Sequence, residues 1–365
     1  MKIRENPIFV LRPYGDDQEI SAVKEVIESG WWGKGPKVTE FEQEFAKLVG
    51  SKYAIAVTSN SHGQDLVMKA MGFKGIDVIN PTISFATTAM VPLWNDCSSN
   101  IVDVLPDTMC IDPSDVAKYK KSNSEVLIAV HQAGLTAPID EIRKVFGGYI
   151  IEDCAHSCYT PEHGTMGDVA VWSFQAVKSM PMGDGGMITL DDKELYEKMY
   201  EMIWFGIPPT WKRFTDSGYA WDYEIETLGY KYYMIDIMAA IGLTQMKRLP
   251  DLIKKRQYIQ KMYNENLHES VQRPLWSHTC QYYSCKVKLD IRNELITYLA
   301  DKKIHTSVHF KPLHLFSLLK QDRDYPVADI EWKKSITLPC HYGMTDDDIN
   351  YVIYWVNRFF DKNGK

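Results

Sequence analysis

The sequence predicts an α/β fold, with a large domain on a mostly parallel, helix-covered sheet and a smaller α+β domain after it. Three observations predict it. Short apolar runs alternate with helical stretches through the first two-thirds of the chain, the pattern of successive βα units. Residues capable of chemistry follow those runs directly, at the strand ends where such sheets collect their ligands. After about Leu228 the alternation gives way to one long helical stretch and a mixed remainder. The 365 residues allow about two domains at roughly 100–200 residues each. They divide here as a large domain 1–240 and a small C-terminal domain 241–365.

The elements follow in order. YAIAV (53–57) reads as the first strand and 63–71 as the helix behind it. Strand 77–79 precedes helix 86–94. The β-branched runs 101–104 and 126–130 come next, then GYII (148–151), which ends in the acidic pair Glu152 and Asp153. VAVW (169–172) and MITL (187–190) complete the set. The long helical pattern 234–267 carries Pro250, which should break or kink it. In the last third, 283–287 is apolar, and 292–301 and 346–360 read as helices. Thr345 and the acids 346–348 cap the last one.

Composition narrows the function classes. Lys and Arg total 41 against 48 Asp and Glu, a net charge of −7, with no electrostatic footprint for nucleic acid. With 45% hydrophobic residues and 10 Trp, 21 Tyr and 13 Phe the chain is globular, not disordered. It has no apolar run of membrane-spanning length and its first residues carry no signal-peptide pattern. The 7 cysteines are odd in number and scattered, as expected of reduced thiols in the cytoplasm. Cys154, His156, Cys158 and His163 form one cluster, but C-x3-C with no second pair is not zinc spacing. Buried or loop thiols are the better reading, and no metal is expected.

Four features carry chemistry. Thr58–Ser61 lies between a strand and a helix, where backbone N–H groups bind anions. Alone it reads first as an ordinary helix cap. Asp153 closes the strand YIIED. Ser173 and Lys178 follow the strand VAVW. Gly183-Asp184-Gly185-Gly186 allows a tight turn behind that lysine. A lysine between an apolar strand and a glycine turn belongs inside a site. Together these groups meet the needs of pyridoxal phosphate (PLP): an amine for a Schiff base, an acid for the pyridine nitrogen and a phosphate cup. Phe85 is a candidate plate for the ring, although on spacing alone a core phenylalanine accounts for it equally.

The chain resembles the DegT/StrS family of PLP-dependent nucleotide-sugar aminotransferases. The resemblance begins at GKGPKVTEFEQEFAKLVGSKYAIAVTSNS (33–61) and continues through VINPTISFATTA (78–89), AVHQAGLTAPID (129–140) and IEDCAHS (151–157). GDVAVWSFQAVKSMPMGDGGMI (167–188), LGYKYYMIDIMAAIGLTQMKRL (228–249), VHFKPLH (308–314) and LPCHYGMTDDDI (338–349) complete it. It implies fold type I, with a mostly parallel seven-stranded sheet, and a homodimer whose active sites lie at the subunit interface. Lys178 would bond the cofactor and carry protons, and Asp153 would face the pyridine nitrogen. Asn60, Ser61 and Ser173 would take the phosphate, Phe85 would stack on the ring, and His156 would meet the phenolic oxygen.

Lys231 stands where relatives carry an Asn that reaches the other subunit's phosphate, and could act there as a point charge. Relatives also tend to have Tyr in the segment aligned with Gln132-Ala133-Gly134, and that aromatic is absent here. The resemblance implies transfer of an amino group from L-glutamate to a nucleotide-linked keto-deoxysugar. A 4-keto-6-deoxyhexose is favoured over a 3-keto-sugar by family frequency alone. A PLP-dependent dehydratase is the alternative, but dehydrating relatives carry His where Lys178 stands. Candidate cations for a diphosphate are Lys212 and Arg213, and His309 and Lys311. The first two read equally well as solvated loop charges. His309 and His314 read equally well as structural.

Overall fold

The structure is a computed structural model that describes residues 1–208, 214–215, 218–219 and 221–363. Helices α1 (Asp17–Ser29) and α2 (Pro36–Val49) lead into β1 (Tyr53–Val57). There follow α3 (Asn60–Met71), β2 (Asp77–Pro81), α4 (Thr87–Trp94), β3 (Ser98–Val102), α5 (Pro113–Tyr119) and β4 (Ser124–Val130). Then come α6 (Ile139–Val145), β5 (Tyr149–Asp153), β6 (Val169–Ser173), β7 (Gly186–Leu190) and α7 (Lys193–Met202). β8 (Phe214–Thr215) and β9 (Gly218–Tyr219) form a small ribbon. α8 (Asp236–Asn266), β10 (Tyr283–Lys286), α9 (Arg292–Asp301), α10 (Pro326–Lys334), β11 (Ser335–Leu338) and α11 (Asp346–Asn363) complete the chain.

One seven-stranded sheet has the order β1-β7-β6-β5-β4-β2-β3. β7 runs antiparallel to both of its neighbours, and the other pairings are parallel. Side chains alternate between the two faces. Ile55, Val57, Val171 and Ile188 meet Leu66 of α3 and Met199 of α7 on one face. Ala54, Ala56, Ala170, Trp172 and Met187 meet Phe41 and Phe45 of α2 and Leu243 of α8 on the other. Both faces are covered, which explains why the strands read as unbroken apolar runs.

A separate core gathers β10, β11, α9 and α11 around Ile259 and Tyr263 of α8. The 31-residue α8 joins the two cores: its Ala239, Leu243 and Ile253 belong to the sheet side. Of the break or kink expected at Pro250, the break does not occur: α8 runs on through it. Leu249, Leu252 and Ile253 are buried around the proline, so packing on both sides outweighs the one backbone donor it removes.

Two further boundaries differ from the sequence reading. α3 begins at Asn60, three residues before the expected 63, because Ser59 caps it by accepting from the His62 N–H at 3.2 Å. β3 begins at Ser98, whose polar start, Ser98-Ser99-Asn100, hid the strand. No helix among the described residues is long and apolar enough to cross a membrane.

Candidate active site

The carboxyl ends of β1, β4, β5 and β6 open onto a cleft of about 500 Å³. Asp153, the last residue of β5, stands in it 5% exposed. Its Oδ1 accepts from the Asn60 side-chain amide at 3.1 Å and the Ala155 N–H at 3.0 Å. Its Oδ2 accepts from the Gln64 amide at 2.9 Å. Burial pushes this carboxyl up, and the Ala155 N–H, Lys178, Gln64 and Asn60 oppose that by favouring the anion. A carboxylate has about four acceptor positions, so the three donors leave room for one more.

Lys178 lines the same cleft from the loop after β6. That loop folds back on itself: the Phe174 N–H bonds the Gly185 carbonyl at 2.9 Å and the Ala176 N–H bonds that of Gly183 at 3.0 Å. Gly185 makes the turn at φ +144°, a value that side chains rarely permit. Burial pulls the Lys178 ammonium down to about 8, with nearby Asp153 opposing the shift. An amine in that range exchanges a proton readily near neutral pH.

The N-terminus of α3 lies against β7. A Cβ on Gly186 would stand 2.5 Å from the Ser59 carbonyl carbon and 2.6 Å from the Asn60 nitrogen. Only glycine permits that approach. Asn60 and Ser61 open the helix, so their N–H groups lack intrahelical partners and suit an anion. The Ser61 and Thr87 hydroxyls are 3.1 Å apart, and Ser173 and Ser61 both line the cleft.

Three rings close the cleft: His156, His309 and Phe310. Burial holds His156 well below its ordinary value, with Lys178 and His309 adding to the effect. Its buried Nδ1 has no hydrogen-bond partner among the described residues. Burial and then Lys178 lower His309 to about 4. Its Nδ1 lies 2.9 Å from the Thr337 hydroxyl, and its ring stacks on Tyr282 at 4.3 Å. Phe85 lines the cleft while 64% exposed. Its ring meets that of Phe310 at 6.3 Å between centroids and otherwise stands open to the cleft, so it is not a core residue.

The structure therefore brings together Asn60, Ser61, Phe85, Asp153, His156, Ser173, Lys178 and His309. It does not bring Lys311 to the cleft: that side chain is exposed and caps the Phe316 ring at 4.5 Å. Lys231 is exposed, on a backbone bridge to Trp204, and does not line its own chain's cleft. Lys212 and Arg213 lie outside the described residues. His314 is held by Thr82 and Asp329 and stacks on Tyr325, a structural arrangement.

Asn60 differs in part from expectation, because its side-chain amide is spent on Asp153 and on the Val171 carbonyl at 2.9 Å. Only its backbone N–H remains for a phosphate. Cys154, Cys158 and His163 are buried, His163 beside the Thr136 hydroxyl at 2.9 Å. Glu152, next to Asp153, points away into three backbone N–H groups and His131.

Sequence reasoning missed Gln64, Gln281 and Tyr282. Gln64 was within reach, lying four residues after Asn60 on one helix face. The other two come from the distant C-terminal core and left no local signal.

The donor set fits pyridoxal phosphate. A lysine amine, a carboxylate with one acceptor position to spare, a helix N-terminus with hydroxyls, an exposed aromatic face and an unpartnered imidazole nitrogen line one cleft. Comparison with known proteins gives the same result. Residues 13–357 match the model of the DegT/DnrJ/EryC1/StrS aminotransferase family. The spore coat polysaccharide biosynthesis protein SpsC of Bacillus subtilis is 34% identical over 362 residues, covering 92% of this chain and 92% of SpsC. The putative sugar aminotransferase Spr1654 of Streptococcus pneumoniae, in its PLP form, superposes with a TM-score of 0.90 at 25% identity. That match covers 98% of this chain and 99% of Spr1654. DesI, solved in the presence of its TDP-sugar product, superposes at 0.87 with 25% identity, covering 99% of this chain and 95% of DesI. The family match runs through both cores and the lysine loop, and this chain belongs to the DegT/DnrJ/EryC1/StrS aminotransferase family as a PLP-dependent sugar aminotransferase.

Proposed function

We propose that the enzyme moves an amino group from L-glutamate to a nucleotide-linked 4-keto-6-deoxyhexose, acting as a cytoplasmic homodimer. The observation that carries the reading is Lys178 and Asp153 in one cleft, the amine lowered to about 8 and the carboxylate held by three donors. A TDP-sugar product in the similar DesI supports a nucleotide-sugar substrate. The free, buried cysteines fit a reducing compartment.

Bound in the cleft, pyridoxal phosphate supplies an electron-accepting ring and a carbonyl carbon for the amine. Asp153 would face the ring nitrogen and hold its proton, and Asn60, Gln64 and the Ala155 N–H favour the ionised form of Asp153 against its burial. Lys178 Nζ would take the proton from the amino donor's Cα and deliver it to the cofactor's carbonyl carbon, and would carry it the opposite way for the sugar. His156 is neutral at physiological pH and can hold the ring's oxygen through its free Nδ1. Phe85 would cover one ring face. Ser61, Ser173 and the N–H groups of Asn60 and Ser61 would hold the phosphate, with Lys231 of the other subunit adding a point charge. His309 lines the same cleft and would meet the sugar nucleotide.

Incubation with PLP, L-glutamate and dTDP-, UDP- or GDP-linked 4-keto-6-deoxyhexoses tests this, with NMR of the product. A C4 amine on one of them is expected. Loss of a sugar hydroxyl without glutamate consumption, or no amination of these sugars while the matching 3-keto-sugars run in parallel are aminated, would contradict it.

A further inference from the structure

Gln281 lies 102 residues beyond Ser179 in sequence, yet its side chain closes on the lysine loop from both sides of Lys178. Its amide Nε2 donates to the Val177 carbonyl at 2.7 Å, and its Oε1 accepts from the Ser179 hydroxyl at 2.6 Å. Gln281 is 1% exposed and Ser179 is 2% exposed, so the bond between their side chains is shielded from bulk water, while Val177 is half-buried at the cleft. The backbone beneath the amide is itself fixed. The Gln281 N–H bonds the Ala133 carbonyl at 3.2 Å, and buried Arg256 donates to the Gln281 carbonyl at 2.7 Å.

The chemistry of the contact is selective. One flank of Lys178 offers an acceptor and the other a donor. A planar carboxamide answers both from one rigid head group, its Nε2 donating and its Oε1 accepting, which an ionised carboxylate, having no donor, cannot do at the Val177 carbonyl. Two short bonds on either side of one residue restrict the loop freedom that would otherwise let its amine wander.

We infer that Gln281 is a positioning residue: as a clamp from the C-terminal core, it fixes the Val177–Ser179 backbone and so sets where the Lys178 amine stands. The inference rests on the proposed role of Lys178 and adds to it a residue that touches no reacting atom.

The test is a pH titration of the PLP absorbance band in the holoenzyme, for wild type, Lys178→Ala, Gln281→Ala and Ser179→Ala. Gln281→Ala should bind PLP, move the midpoint by about half a unit or more and lower kcat about tenfold, with KM for glutamate within about twofold. Ser179→Ala, which removes half of the clamp, should move the midpoint the same way by about 0.3 unit or more. The midpoint decides, since a merely structural loss leaves it unmoved. Smaller movement in the Gln281 variant overturns the inference. If that variant does not fold, Ser179→Ala decides by its own threshold. A titrating band that is lost in Lys178→Ala but unmoved in the clamp variants overturns the clamp alone. A band that survives in Lys178→Ala overturns the role of the lysine and the clamp with it.

Discussion

Lys178 shows how a single residue acquires chemistry from its surroundings. Free lysine titrates near 10.5, and burial brings this one to about 8. Between those values the unfolded chain holds a proton that the folded chain has released. Stability from this group therefore rises with pH across that window and is lowest below it. Lys178→Met should raise Tm in the cofactor-free protein at pH 7, and the gain should fade toward about pH 10.5. Thermal unfolding at both pH values checks this; an equal gain at each would contradict the burial account. Much of this residue scale was legible in the sequence. Lys178, Asp153, Ser173 and Ser61 each follow an apolar run and all reach the cleft. The Asn60 side chain was not legible, because its choice of Asp153 over an anion depends on a strand 93 residues away.

At the scale of elements, the close approach of β7 to the start of α3 determines the phosphate end of the cleft. Gly186→Ala would set a methyl group 2.5 Å from the Ser59 backbone, which must then move. PLP affinity should fall about tenfold or more, or about 1.4 kcal/mol, measured by titrating cofactor into the stripped protein. Unchanged affinity would show that the anion is not held there. Apolar runs announced the strands because both faces of the sheet are covered. β3 was mislaid because its first three residues are polar. Pro250 does not end α8 as a local rule allows, because that rule carries no knowledge of the packing around the helix. Gln281 was invisible because its partners lie about a hundred residues upstream.

At the scale of the molecule, Trp221 and Leu228 are both 77% exposed. Lys231 adds a cation close in sequence to Leu228 and outside its own cleft. Leu228 and Lys231 lie in the segment that the family resemblance places across the subunit interface, with Trp221 shortly before it, so they are where the proposed dimer is tested. Sedimentation should give twice the 42.0 kDa chain mass, and Lys231→Ala should weaken PLP binding. A fully active monomer would contradict the cross-subunit role. The net charge of −7 does not oppose phosphate ligands, because local N–H groups, hydroxyls and cations determine binding at this range.

The most direct test of the whole account is a spectrophotometric cycle on the PLP-loaded enzyme. L-glutamate should bleach the cofactor band, a nucleotide-linked 4-keto-6-deoxyhexose should restore it, and Lys178→Ala should do neither. A Lys178→Ala protein that bleaches and recovers like wild type would contradict the account.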